Sequence, residues 1–139
     1  MLVHASLTPK EKNKRNAHFK VIKYVENKHT DMSAPVWQTF QLDSLNLVYV
    51  IECKICGMLF VGQTKNKLRA RLQQHLYHIQ RSNKTTELYV HFRAHGAENL
   101  LIAGLETRAG WSSAQRWMAE RRWITKLKTN VPSGLNEAI

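Results

Sequence analysis

Acidic side chains are scarce in this chain: 10 Asp and Glu stand against 21 Lys and Arg, for a formal charge of +11. That deficit argues against cationic partners and favours polyanions, because each phosphate neutralised releases condensed counterions. A nucleic acid is the partner this charge predicts. A basic ribosomal or structural protein, or a domain with a basic tail, is the alternative it leaves open. Nowhere does the sequence approach the ~20 consecutive apolar residues that a membrane span needs, so no membrane partner is expected. The opening Met1-Leu2-Val3-His4-Ala5-Ser6 lacks the apolar core of a signal peptide. The expected location is intracellular, and nuclear. Cysteine is rare too, with only Cys53 and Cys56, spaced C-x-x-C. In a reducing compartment that pair points to metal or redox use before a structural disulfide. Internal repeats and low-complexity tracts are absent.

What is present is one domain's worth of chain. Its 139 residues, 43% hydrophobic, can bury a core without staples. Residues 1–43 read as a basic arm or linker, and residues 44–139 as the folded domain. Residues 10–28 are dense in Lys, Arg, Asn and His, and Phe19, Val21, Ile22, Tyr24 and Val25 support a short strand at best. Ser33-Ala34-Pro35 predicts a break, after which Trp37, Phe40 and Leu42 can dock on the domain.

The continuous run Leu47-Val48-Tyr49-Val50-Ile51 predicts a strand buried on both faces. Met58-Leu59-Phe60-Val61 predicts a second strand, joined to the first in a hairpin. Thr64 predicts the cap of a helix over residues 64–80, with Leu68, Leu72, Leu76 and Ile79 as its apolar stripe. A shorter helix is expected over residues 86–95 and a third strand over residues 100–105. Ser112-x-x-Gln115 has the form of a capping box opening a helix over residues 112–128. The predicted class is therefore α/β: a small, mainly antiparallel three-stranded sheet flanked by helices, with a basic N-terminal arm.

Several side chains are candidates for chemistry. Arg71 and His75 lie one helical turn apart, at the edge of the apolar stripe. A guanidinium there suits a phosphate oxygen bidentately, and an imidazole beside it can relay a proton. Glu120 shares a helix face with Trp117, Ile124 and Leu127, so a carboxylate interrupts the stripe that should bury. It must find an ion pair with Arg121, Arg122 or a lysine, or else a metal such as Mg²⁺. Tyr49 enters a buried environment, where its hydroxyl needs a partner. Taken singly, each has a plain structural reading: a solvated arginine, a core histidine, a paired glutamate, a core tyrosine.

Taken in order, these residues resemble the GIY-YIG nuclease superfamily. Leu47-Val48-Tyr49 is similar to its first motif and Phe60-Val61-Gly62 to its second. Arg71-x-x-x-His75 is similar to its first helix, Glu120 to its metal-binding helix, and Gly134-Leu135-Asn136 to its closing tail. The resemblance spans Leu47 to Asn136. It implies an endonuclease that nicks DNA with one Mg²⁺ or Mn²⁺ held by Glu120. Tyr49 would be the general base or would position the attacking water, and Arg71 would bind and polarise the phosphate. His75 would tune the phenol or the leaving group, and Asn136 would orient the group. Lys65, Lys67 and Arg69 are the expected DNA contacts. Leu47 replaces the glycine of the first motif, and Phe60 the second tyrosine, removing one hydroxyl. The alternative that Phe60 implies is a weakened or inactive DNA-binding module of the same fold.

Cys53-Lys54-Ile55-Cys56-Gly57 has zinc-knuckle form, and His91-x-x-x-His95 can complete a Cys2His2 set. His75 and His78 are rival ligands, and two reduced cysteines beside a solvated His pair are the metal-free reading. Cysteines here resemble those of GIY-YIG domains in Penelope-like retroelements. That likeness implies a structural Zn²⁺, a nick that opens a target site, and origin in a longer polyprotein. Two copies pairing transiently on DNA are a further expectation. A zinc-stabilised basic interaction protein, with His75 as ligand, is the remaining rival.

Overall fold

The computed structural model describes residues 17–137. Residues 1–16 of the expected basic arm lie outside the described residues. In chain order the elements are β1 (Tyr24–Asn27), β2 (Met32–Pro35), β3 (Leu45–Cys53), β4 (Leu59–Lys67), α1 (Leu68–Arg81), α2 (Glu87–His95), β5 (Leu100–Thr107) and α3 (Ser113–Leu127). A 3₁₀ turn, Ala97–Asn99, joins α2 to β5.

The expected α/β architecture is what forms. β3 is the centre of an antiparallel sheet ordered β4-β3-β5. This is why its apolar run is continuous: a central strand covered on both faces has no solvent side to alternate towards. Leu47, Val48, Tyr49, Ile51 and Cys53 are all fully enclosed. Tyr49 faces Gly62 on β4 and Gly104 on β5. Gly62 has a steric reason to be there. A Cβ at that position would collide with the Tyr49 hydroxyl and sit 2.9 Å from the Phe60 ring. The second sequence motif thus makes room for the tyrosine of the first.

α1 begins later than Thr64 predicts. β4 runs on to Lys67, which pairs with Leu45, and Thr64 Oγ1 accepts from the Asn66 amide within the strand. The first helical amides are met by tertiary acceptors instead of a cap: Leu68 N–H donates to Ser44 O and Arg69 N–H to Leu42 O. α1 buries Leu68, Leu72, His75 and Ile79. Each aliphatic member contributes about 1.5–3 kcal/mol. The predicted capping box of α3 forms in full. The Gln115 amide donates to Ser112 Oγ, and the Ser112 amide to Gln115 Oε1.

Residues 17–43 are packed on the domain. His18 O accepts from Ile102 N–H, and Lys20 N–H donates to Ile102 O. Ser33-Ala34-Pro35, expected as a break, lies in β2, with Pro35 at its end opposite Tyr24, where a lost ladder donor is tolerated. Asn27 is wholly buried and donates to Leu127 O at 2.9 Å and Lys128 O at 3.3 Å. It satisfies carbonyls that the last turn of α3 leaves open. Phe40 and Leu42 dock as expected, but Trp37 remains 88% exposed.

Candidate active site and metal cluster

Tyr49, Arg71 and His75 form one hydrogen-bonded group. The Tyr49 hydroxyl lies 2.7 Å from His75 Nε2 and accepts from Arg71 Nε at 3.1 Å. Arg71 also donates through Nη1 to Gln74 Oε1 at 2.8 Å. Three elements converge here: β3 supplies the phenol, α1 the cation and the imidazole, and β4 the Phe60 ring. That ring is tilted towards Tyr49 and edge-on to His75, with centroids 6.5 and 5.9 Å away.

Burial sets the protonation of the group. It pushes the Tyr49 phenol up to about 12, against the pull of the Arg71 charge. It pushes His75 down to about 3, helped by Arg71 and then His78. At neutral pH the pair is therefore a neutral phenol and a neutral imidazole beside one fixed cation.

Glu120 is half-buried on α3. Its carboxyl is raised by burial, and the charges of Arg121, Arg71 and Arg116 pull the other way. No ion pair within 4.0 Å involves it among the described residues. Arg122 goes instead to Glu106 Oε1 at 3.6 Å, and Arg121 stacks over the Trp117 ring at 5.2 Å. The buried stripe of α3 also differs from the expected one. It comprises Arg116, Ala119, Trp123, Ile124 and Leu127, while Trp117 is half exposed. Arg116 sits in the stripe because Gln63 Oε1 and Asn46 Oδ1 accept from it at 2.5 and 2.6 Å.

Asn136 is buried and braces the closing tail against β4. Its Oδ1 accepts from Val61 N–H at 2.8 Å and Thr129 Oγ1 at 2.7 Å, and its Nδ2 donates to Val61 O at 2.8 Å. It makes no hydrogen bond to Tyr49, Arg71, His75 or Glu120 among the described residues. Gly134 lets the tail approach, since a Cβ there would strike the backbone of Thr129. Lys65 and Lys67 are exposed at the end of β4, and Arg69 pairs with Asp43 at 3.1 Å.

Two residues were missed in the sequence. Tyr89, on α2, brings its hydroxyl to 3.0 Å from His75 Nδ1. No period links it to His75, since the two stand on different helices. Arg93, also on α2, donates to Ile79 O, His78 O and Ser82 O at the end of α1.

Cys53, Cys56, His91 and His95 gather into one cluster, their ligand atoms all within 4.8 Å of one another. Cys56 Sγ is 3.4 Å from His91 Nε2, and Cys53 Sγ is 3.6 Å from His95 Nδ1. Such separations approximate the edges of a zinc tetrahedron with bonds of about 2.0–2.3 Å. Gly57, at φ +74°, allows the turn after Cys56. Burial raises the Cys56 thiol, and it lowers His91 together with the neighbouring His95. Neither His75 nor His78 joins the cluster.

With this geometry in hand, the relatives fall into place. Residues 45–136 match the family model of the GIY-YIG catalytic domain. The chain belongs to that family, and by class it is a DNA endonuclease. Among solved structures it is similar in fold to the catalytic domain of homing endonuclease I-TevI, with a TM-score of 0.57 and 20% identity. The match covers 66% of this chain and 97% of that one. A comparison with curated proteins gave no match.

Proposed function

We propose that this endonuclease nicks DNA by hydrolysing a phosphodiester with one Mg²⁺ or Mn²⁺ at Glu120. The observation that carries this reading is the bonded Tyr49–Arg71–His75 group within electrostatic reach of a half-buried carboxylate that makes no ion pair among the described residues. The donor chemistry fits a hard cation, which takes one carboxylate, several waters and the substrate phosphate. When bound, the ion supplies Lewis-acid stabilisation of the leaving oxygen.

The chain's own residues divide the remaining work. Arg71 keeps Nη2 for a non-bridging phosphate oxygen while its Nε holds the phenol. As water attacks phosphorus, its proton passes to the Tyr49 oxygen, and the phenol's own proton passes to His75 Nε2. The new O–P bond forms as the bond to the leaving oxygen breaks, the electron pair staying on that oxygen. A phosphate on Arg71 offsets the charge that, after burial, most disfavours imidazolium at His75. Substrate binding thereby favours the proton's arrival.

The same reading assigns Lys65, Lys67 and Arg69 to DNA phosphates and Asn136 to bracing the site. It assigns Zn²⁺ to the Cys53/Cys56/His91/His95 cluster, supported by the four converging ligand atoms. A retroelement's target-site nick is the setting we infer, in a nuclear protein cut from a longer polyprotein and pairing transiently on DNA. What supports it is the C-x-x-C/H-x-x-x-H set inside a GIY-YIG domain. Phe60 favours a second reading, a DNA-binding module with little or no cleavage. Supercoiled plasmid with Mg²⁺ separates the two: nicked circle should appear with wild type and be absent with Glu120→Ala or EDTA. Equal amounts in all three would defeat the nuclease mechanism.

A further inference from the structure

The imidazole of His75 is held from both sides, and only one of its partners belongs to the reacting group. Arg71 Nε–H can only donate, so the Tyr49 oxygen accepts there. The phenol's single proton then has His75 Nε2 as its one acceptor among the described residues. For Nε2 to accept, a neutral His75 must carry its ring proton on Nδ1. Tyr89 Oη stands 3.0 Å from that nitrogen and takes the proton as a hydrogen bond. Were Nδ1 to lose this partner, the ring proton would be free to move to Nε2. There it would face the phenol's proton and block the transfer.

We propose that Tyr89 is a positioning residue of the nuclease: it fixes the Nδ1–H form of His75, so that Nε2 stays open to the proton of Tyr49. The inference rests on the cleavage reading given above for its consequence, but not for its geometry.

α2 is built to hold this hydroxyl in place. Its first turn buries Leu88 and Tyr89 together, and Phe92 is wholly enclosed one turn on. Arg93 fastens the helix to the end of α1 by donating to Ile79 O at 3.2 Å and His78 O at 2.9 Å. On the other side, His95 reaches Cys53 at the end of β3, and His91 reaches Cys56 just beyond it. The helix that carries Tyr89 is thus tied to the helix that carries His75 and to the strand that carries Tyr49. The position is also independent of Phe60. That ring meets the imidazole edge-on, while Tyr89 meets its Nδ1, so Tyr89 does not simply restore the hydroxyl that Phe60 lacks.

The test is Tyr89→Phe, which removes one oxygen and keeps the ring that packs. With ¹⁵N-histidine labelling, wild-type His75 should show the Nδ1-protonated neutral pattern, and Tyr89→Phe should lose it in favour of a mixture or of Nε2–H. In the plasmid assay kcat should fall roughly tenfold, with KM for DNA changed less than about twofold, as for other partners that orient a reacting group. A merely structural tyrosine would instead lower the melting temperature and leave the imidazole pattern unmoved. Wild-type kcat in Tyr89→Phe, or Nε2–H in the wild type, would overturn the proposal. If the wild type does not nick at all, the cleavage reading fails, and the ¹⁵N pattern alone still decides for or against Tyr89.

Discussion

Two polar clusters hang from β3 on the same side of the strand, since Tyr49 and Cys53 are four residues apart. They handle buried polar atoms in opposite ways. Around Tyr49 the groups satisfy one another: phenol to imidazole at 2.7 Å, guanidinium to phenol at 3.1 Å, imidazole to Tyr89 at 3.0 Å. Around Cys53 the groups converge without closing. The contacts between sulfur and imidazole are 3.4 and 3.6 Å, a weak pairing, and the stacked His rings lie 4.0 Å apart. A closed cluster is stable as it stands and needs a ligand only to react. An ion bound at the other would add its binding energy to the stability of the fold.

The sharpest break between them should come from removing charges at the closed cluster. Arg71→Ala or Glu120→Ala should lower nicking of supercoiled plasmid by at least ~10²–10³-fold, the loss typical of a transition-state charge partner. For Glu120→Ala the melting temperature should change little, because Glu120 makes no ion pair among the described residues. A mutant that nicks within tenfold of wild type would remove that residue from the chemistry. At the open cluster the order of effects should reverse. Cys53→Ser, or stripping the metal with a chelator, should cost several kcal/mol and about 10 °C or more in melting temperature. Metal analysis should find one zinc per chain in the wild type and none in Cys53→Ser. Equal melting curves with and without chelator would mean that the four ligands hold no structural ion.

How legible each cluster was in the sequence follows from the range of its contacts. Arg71 and His75 were visible as a helical pair, and Ser112 with Gln115 as a cap, because both are local. The cysteines and His91/His95 were visible because ligand chemistry restricts the partners they can have. Hidden were groups whose partners stand far along the chain. Asn27 caps α3 across 100 residues, and Ser44 and Leu42 carbonyls replace the cap expected from Thr64. Tyr89 carries no pattern tying it to His75. Trp117 misled for a different reason. Apolar spacing alone cannot tell which edge of a helical stripe faces out, and Arg116, bonded to Gln63 and Asn46, takes the inward place.

The closed cluster should also leave its mark on acid stability. Unfolded His75 takes up a proton near pH 6.5, but the folded ring resists until about 3. Between those values the unfolded state holds more protons, so stability falls as pH drops through the window. The contribution from this one group is about 1.4 kcal/mol per pH unit where the difference is a full proton. Urea midpoints measured from pH 7 to 4 should therefore fall less steeply for His75→Gln than for wild type. A parallel pair of lines would mean that His75 is accessible to protons in the folded protein.

The smallest effect expected is at Phe60, the position where the family tyrosine is missing. Its ring lies 6.5 Å from Tyr49 and 5.9 Å from His75, centroid to centroid, and takes no part in the hydrogen bonds that join them. The phenol already gives its proton to Nε2 and accepts from Arg71, so a second hydroxyl has no vacant partner within the group. Phe60→Tyr should then change kcat by less than about threefold, or under ~0.7 kcal/mol in the barrier. The assay is the same plasmid nicking series. A rise of a hundredfold would show that the cluster is not closed at all. The water or the phosphate would then lack a donor that only this position supplies, and the contrast with the open cluster at Cys53 would become one of degree.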